Sequence, residues 1–180
     1  MKIKYLSTIW CVMNLKKSVI ISLVIAAFFF IAGALIKNNT EFVPCLSPEF
    51  KEIYLNNLLL QISVIVFSLI TFGLVSAVYL SYQFAILGCI VRSATEQYSL
   101  KFALVYLLPH GIIEIPSIIL SSTIGIFLPH YIISVIKGRN NFRPLLVVKP
   151  LCINIVLILL AALIETYFSP IIIAIINKGG

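Results

Sequence analysis

The chain has 180 residues, of which 61% are hydrophobic and only 11% charged, with a formal net charge of +7. This composition is far from that of soluble domains and excludes an ordinary water-soluble globular fold. The basic residues mostly flank hydrophobic segments, so they indicate membrane orientation and anionic lipid rather than nucleic acid, and we expect no nucleic-acid partner.

The charged residues cluster and leave four runs without Asp, Glu, Lys or Arg, at 18–36, 53–91, 115–136 and 150–164. Three of these runs reach or exceed the ~18 residues that indicate a membrane span. Lipid offers the backbone no hydrogen-bond partners, so each span is a helix or part of a closed barrel. The runs lack the alternation of barrel strands. The sequence therefore predicts an all-α, polytopic transmembrane helical bundle, with kinked or re-entrant pieces.

The first element is a basic leader, residues 1–17, which carries four lysines and no acid. The positive-inside rule predicts a cytoplasmic N-terminus. The leader is either a short amphipathic helix in the inner headgroup region or a disordered segment. The first span is predicted at 18–36. A cleaved signal ending near Ala32-Gly33-Ala34 is the weaker alternative, because the apolar stretch is longer than a usual signal core.

Residues 37–52 hold two lysines, three glutamates and two prolines, which favours an outer loop. The next apolar run, 53–91, would reach about 58 Å as one helix, too long for a single crossing of a core about 30 Å thick. Two spans at 55–72 and 74–91, with a turn near Gly73, fit this length. One long tilted helix with a re-entrant piece also fits it.

The segment 137–149 selects between these two interpretations. It contains Lys137, Arg139, Arg143 and Lys149 and no acid. It is cytoplasmic only if 53–91 crosses twice and the next span, 101–128, crosses once. With a last span at 150–176, the prediction is one membrane domain over 18–176 with five spans. The N-terminus would be inside and the C-terminus outside the cytoplasmic membrane.

Polar residues at membrane depth form the candidate functional motif. They are Pro109, His110, Gly111, Glu114, Pro116 and, in the last span, Glu165. His110 and Glu114 are four residues apart, so they share a helical face, and each proline removes a backbone donor. We expect a kinked helix whose open turn is capped by polar side chains. An ionised group at the bilayer centre costs about 2.5–3.5 kcal/mol, so Glu114 should face the bundle interior, paired or protonated.

Three explanations of this motif remain open. A His–Glu pair that satisfies a broken helix and docks its neighbours is the structural one. A transport or proton-relay role for Glu114 and Glu165 is the second. Intramembrane proteolysis is the third and weakest, because the zinc-protease pattern HExxH is absent. The four cysteines stand alone in the sequence, so we expect no metal site. We also expect no cofactor and no catalytic residues.

The chain resembles the Stage II sporulation protein M family of small polytopic membrane proteins. The resemblance rests on Pro109-His110-Gly111-x-x-Glu114-x-Pro116, on Ala162-Leu163-Ile164-Glu165 followed by Pro170, and more loosely on Asn56-Asn57 before Thr71-Phe72-Gly73. It implies a non-enzymatic membrane component. Sporulating members work with cell-wall hydrolases during engulfment, and other members resemble partners of ATP-binding cassette ATPases in bacteriocin export and immunity.

These implications predict a scaffold that assembles other membrane or cell-wall proteins in the cytoplasmic membrane, with membrane lipids around it. The alternative is a permease-like subunit that works with an ATP-binding cassette ATPase. In that case the basic segment 137–149 would dock the ATPase, and Arg139 and Arg143 are the candidate contacts with a cytoplasmic partner.

Overall fold

The computed structural model describes the backbone of residues 2–36, 49–168 and 171, and the side chains of 15–36, 49–105, 107, 111–168 and 171. This part of the chain forms five helices: α1 (Lys2–Leu35), α2 (Phe50–Ile70), α3 (Leu74–Gln97), α4 (Leu100–Ile136) and α5 (Leu145–Tyr167). It contains no strand. The predicted all-α bundle is confirmed.

Each helix includes a stretch that is long and apolar enough to cross a membrane. The stretches are Leu15–Leu35, Phe50–Ile70, Leu74–Gln97, Gly111–Ile136 and Leu145–Tyr167. Large hydrophobic side chains stay exposed along them, for example Val24 at 63% and Ile70 at 74%. In water this surface would be costly, whereas lipid solvates it. The predicted number of about five spans is confirmed.

A tight turn divides the long apolar run near Gly73, as in the two-span interpretation. Phe72 and Gly73 both have positive φ, at 52° and 91°. The Gly73 N–H donates to the Ser68 carbonyl at 2.9 Å, which closes the end of α2. A Cβ on Gly73 would also approach Ile126 Cα at 3.0 Å. Glycine is therefore required here both by the left-handed backbone and by the neighbouring helix.

Helix α4 lies at the centre of the bundle. It contacts each of the other four helices, and 44% of its span is buried, against 22% for every other span. Its backbone is helical through Pro109, Pro116 and Pro129. A core of Ala26, Leu80, Phe84 and Ile118 joins it to α1 and α3.

Contacts between distant residues show how the helices alternate in direction. Lys17 and Lys137 line the same cavity, so the start of the first span and the end of α4 lie together. Arg92, late in α3, binds the Ala34 carbonyl at the other end of α1. We call the end of the bundle where Lys17 and Lys137 lie the basic end, and it holds Lys16, Lys17 and 137–149. We call the opposite end, where Arg92 binds the end of α1, the mixed end, and it holds 49–52 and 92–101.

Candidate functional site

A three-residue polar node joins three spans in the interior of the bundle. Asn154 Nδ2 on α5 donates to Gln61 Oε1 on α2 at 2.8 Å. Ser117 Oγ on α4 lies 3.1 Å from both Gln61 Oε1 and Asn154 Oδ1, so its hydroxyl can donate to either. The three side chains are 1–3% exposed. Since these groups are buried and hydrogen-bond one another, the node fixes the relative positions of the three helices.

Two hydroxyl contacts extend this polar interior. Ser68 Oγ accepts from the Ser76 backbone N–H at 2.9 Å, and the two hydroxyls lie 2.7 Å apart, which locks the α2–α3 hairpin. Thr123 on α4 donates to Ser22 Oγ on α1 at 3.1 Å. Polar contacts therefore join α4 to α1, α2 and α5. These residues were not predicted as functional from the sequence, although each is a neutral polar side chain in an apolar run.

Three residues of the predicted motif border one cavity. Gly111, Glu114 and Pro116 line a space of about 530 Å³ between α1, α3 and α4, together with the Gln83 amide and otherwise mainly hydrocarbon. Among the described side chains, a Cβ on Gly111 would meet only Ile115 Cδ1, at 3.7 Å, so close approach to these residues does not require this glycine. The side chains of Pro109 and His110 lie outside the described residues, and the predicted His110–Glu114 pair therefore stays a prediction.

The two intramembrane acids lie on neighbouring helices. Glu114 on α4 and Glu165 on α5 are close enough to interact electrostatically. Tyr79 on α3 is also within electrostatic range of Glu114, and its hydroxyl accepts from Gln83 Nε2 at 3.1 Å. Chemically, Glu114 can offer a carboxyl group to a polar ligand at the cavity, beside the Gln83 amide.

Arg92 is engaged away from these acids. Its Nη1 donates to the carbonyls of Ala34 at 3.1 Å and Leu35 at 3.0 Å, at the end of α1. Its Nε pairs with Glu96 at 2.8 Å. A cation at a helix C-terminus satisfies free carbonyls and favours the helix dipole. Arg92 therefore caps α1 and does not neutralise Glu114.

The basic segment between α4 and α5 has a defined fold around Tyr131. The Tyr131 hydroxyl accepts from the Arg143 N–H at 2.6 Å, and Asn140 Nδ2 donates to Ser134 Oγ at 2.7 Å. The Arg139 N–H donates to the Ser134 carbonyl at 2.9 Å. The Arg139 side chain is exposed and borders a second cavity, whereas the Arg143 side chain is half-buried. These contacts fix the positions from which both arginines project.

Within the described residues, no group of three or more His, Cys, Asp or Glu side chains is placed to hold a metal ion. Cys89 and Cys152 are free thiols on different helices. The Cys89 thiol donates to the Gly33 carbonyl at 3.3 Å, which is a packing contact between α3 and α1.

The fold and its internal polar contacts define a polytopic α-helical membrane protein. Residues 18–170 match the family described as Stage II sporulation protein M, and the chain belongs to this family. The resemblance seen in the sequence is thus confirmed. The chain is also 28% identical to an uncharacterised protein of Methanocaldococcus jannaschii, over 172 residues that cover 87% of this chain and 96% of the relative. No solved structure matches the chain. The family is not a known enzyme family.

Proposed function

We propose that the protein is a non-enzymatic scaffold of the cytoplasmic membrane that assembles partner proteins. Family membership over 18–170 supports this proposal. The partners it would hold are other membrane proteins or cell-wall proteins, as the resemblance to sporulating family members implies. The protein would then act by positioning these partners, without any chemistry of its own.

The node of Gln61, Ser117 and Asn154 is the observation that carries the proposal. Its polar groups hydrogen-bond one another across three spans. Polar groups that line a transport path must exchange these partners for a substrate, whereas a scaffold benefits from spans held in one arrangement. The node therefore suits a rigid platform better than a moving gate.

We infer that the basic end of the bundle faces the cytoplasm. Among the described residues, that end carries Lys16, Lys17 and the four cations of 137–149 and no acid. The mixed end balances three cations with three glutamates, at 49–52 and 92–101. The positive-inside rule counts Lys and Arg near span ends, and both basic segments then give the same orientation. The mixed end would meet partners on the outer side of the membrane.

The alternative is a permease-like subunit that works with an ATP-binding cassette ATPase. It requires Glu114 or Glu165 to release and take up a proton, or to bind a moving ion. A scaffold requires only their size and hydrogen bonding. Glutamine distinguishes the two roles, because it keeps size and hydrogen-bonding capacity but cannot ionise.

The test is complementation of a strain that lacks the gene, with protein level measured in the same cells. Glu114→Gln and Glu165→Gln should restore the phenotype and accumulate like the wild type. Glu52→Gln is the matched control, since Glu52 is exposed in the first turn of α2. Glutamine variants at positions 114 and 165 that accumulate normally but fail to complement would overturn the scaffold and favour transport.

A further inference from the structure

A second cavity, of about 330 Å³, opens at the basic end between α1 and α4. Its lining includes four basic side chains: Lys17, His130, Lys137 and Arg139. None of the described residues that line it is acidic. An anion in this space would be attracted by the three cations Lys17, Lys137 and Arg139 together.

The fold places the backbone that carries these basic side chains at the cavity. The Arg139 and Asn140 N–H groups both donate to the Ser134 carbonyl, at 2.9 and 3.2 Å, which fixes the chain directly after Lys137. The His130 ring has Nδ1 3.0 Å from the Ile126 carbonyl, so its orientation is set. Lys17 comes from a different helix, one turn before Ile21 on the same wall. The backbone that carries Lys137 and Arg139 is thus fixed near Lys17, so an anion in this space meets several cations at once.

The rest of the lining is hydrocarbon. Ile21, Ile126 and Ile133 line the cavity beside the cations. Next to it on α1, Ile20 is 59% exposed, on the surface that faces lipid. A ligand that fits both parts has an anionic head and a hydrocarbon tail. Basic pockets between transmembrane helices bind phosphate-bearing lipid headgroups in this way.

We propose that this cavity is a binding site for an anionic phospholipid. The phosphate lies among Lys17, Lys137 and Arg139, and the acyl chains lie along Ile21 and Ile133. The bound lipid bridges α1 and α4 at the end of the bundle where both basic segments meet. This site is independent of the proposed scaffold function and uses none of the intramembrane acids.

Native mass spectrometry of the purified full chain, with equal amounts of phosphatidylglycerol and phosphatidylcholine in the detergent, tests the site. The wild type should retain phosphatidylglycerol preferentially. Lys137→Gln with Arg139→Gln should lower this preference about tenfold or more, because each cation near a lipid headgroup contributes severalfold to binding. Arg143→Gln with Lys149→Gln is the matched control, since it removes two cations from the same segment, neither of which is in the lining.

Equal losses in the two double variants would show that loop charge alone attracts lipid and would overturn the site. If the first double variant does not fold, the Lys17→Gln single variant replaces it, and unchanged lipid preference there overturns the proposal. A third arm adds millimolar inorganic phosphate. Persistence of bound phosphatidylglycerol supports a lipid site, whereas its displacement would reassign the cavity to soluble phosphate and overturn the lipid proposal.

Discussion

Asn154 and Gln61 each place a primary amide inside the bundle, where it must find protein partners. An amide left unpaired in such a place costs the free energy of its desolvation, about 1–3 kcal/mol. The two amides meet each other and Ser117, so the cost is offset by contacts that also choose which helix faces are neighbours. At this scale, a few neutral polar residues specify the packing that apolar surface alone would leave degenerate.

Replacing Asn154 by Ala should destabilise the bundle by about 1–2 kcal/mol, because Gln61 then loses its amide donor in a water-free interior. Unfolding of the purified protein by titration with a denaturing detergent measures this loss. Val156→Ala is the control on the same helix, since Val156 is 52% exposed. Equal destabilisation by both changes would mean that the node contributes nothing beyond side-chain volume.

The sequence identified Glu114 and Glu165 because a carboxylate stands out in an apolar run. It did not identify Gln61, Ser117 or Asn154, since a single neutral polar residue is common in spans and its partner is distant in sequence. Gln61 and Asn154 come together only through the packing of α2 against α5. Residue-scale sites are therefore predictable from the sequence when charge marks them, and not when pairing creates them.

At the scale of helices, length and charge were sufficient to predict the number of spans but not their contacts. The run 53–91 is too long for one crossing, and Gly73 marks its turn, so the α2–α3 hairpin could be predicted. The close approach of α1 to α3 depends on which faces meet. A Cβ on Gly33 would clash with the Ala85 carbonyl, and one on Gly88 with the Phe30 carbonyl. Small residues occur in many spans, so these two were not distinctive in the sequence.

Gly33→Ala should therefore separate α1 from α3 and destabilise the protein by about 1–3 kcal/mol, the usual cost of overpacking a tight contact. The same detergent titration measures it. Gly111→Ala is the matched control on α4, because in the described part of the chain its added Cβ would have only Ile115 Cδ1 near it, at 3.7 Å. Similar losses for the two variants would show that helix propensity or insertion, and not the α1–α3 contact, sets the result.

A separate prediction concerns the binding of a cytoplasmic partner to the connection between α4 and α5. If Arg139 and Arg143 contact that partner, Arg139→Ala with Arg143→Ala should abolish copurification and leave membrane insertion intact, since Lys137 and Lys149 keep the topological signal. The Arg143→Ala single variant separates partner binding from anion binding in the second cavity, because Arg143 does not line that cavity. Loss or inversion of the protein in the membrane would show instead that the arginines only set orientation.

At the scale of the whole molecule, the central position of α4 connects the two candidate regions. Glu114 lies beside the cavity of about 530 Å³ in its first half, and Lys137 follows its last residue at the basic end. Helix α4 also shares contacts with every other span. A partner or lipid bound at either region would therefore contact the helix that packs against all the other spans.

The orientation of this bundle leads to the last prediction, which concerns cysteines on opposite sides. An odd number of spans separates the basic end from the segment after α5. With the basic end inside, Cys45 between α1 and α2 is outside, Cys11 is at the inner side, and Gly180 is outside. A thiol reagent that cannot cross membranes should label a variant that retains only Cys45 in intact cells.

The matched variant that retains only Cys11 should be labelled only after the membrane is permeabilised, which controls for reagent entry. Cys45 and Gly180 lie outside the described residues, so their labelling is an independent measurement of topology. A tag at Gly180 should be reached by protease from outside. If Cys45 is labelled while that tag stays protected, an odd number of crossings follows α1, so that at least one of the remaining four helices does not cross the membrane. Such a result would contradict the outer location of the C-terminus while leaving the inner location of the N-terminal segment in place, because Cys11 reports on that segment alone.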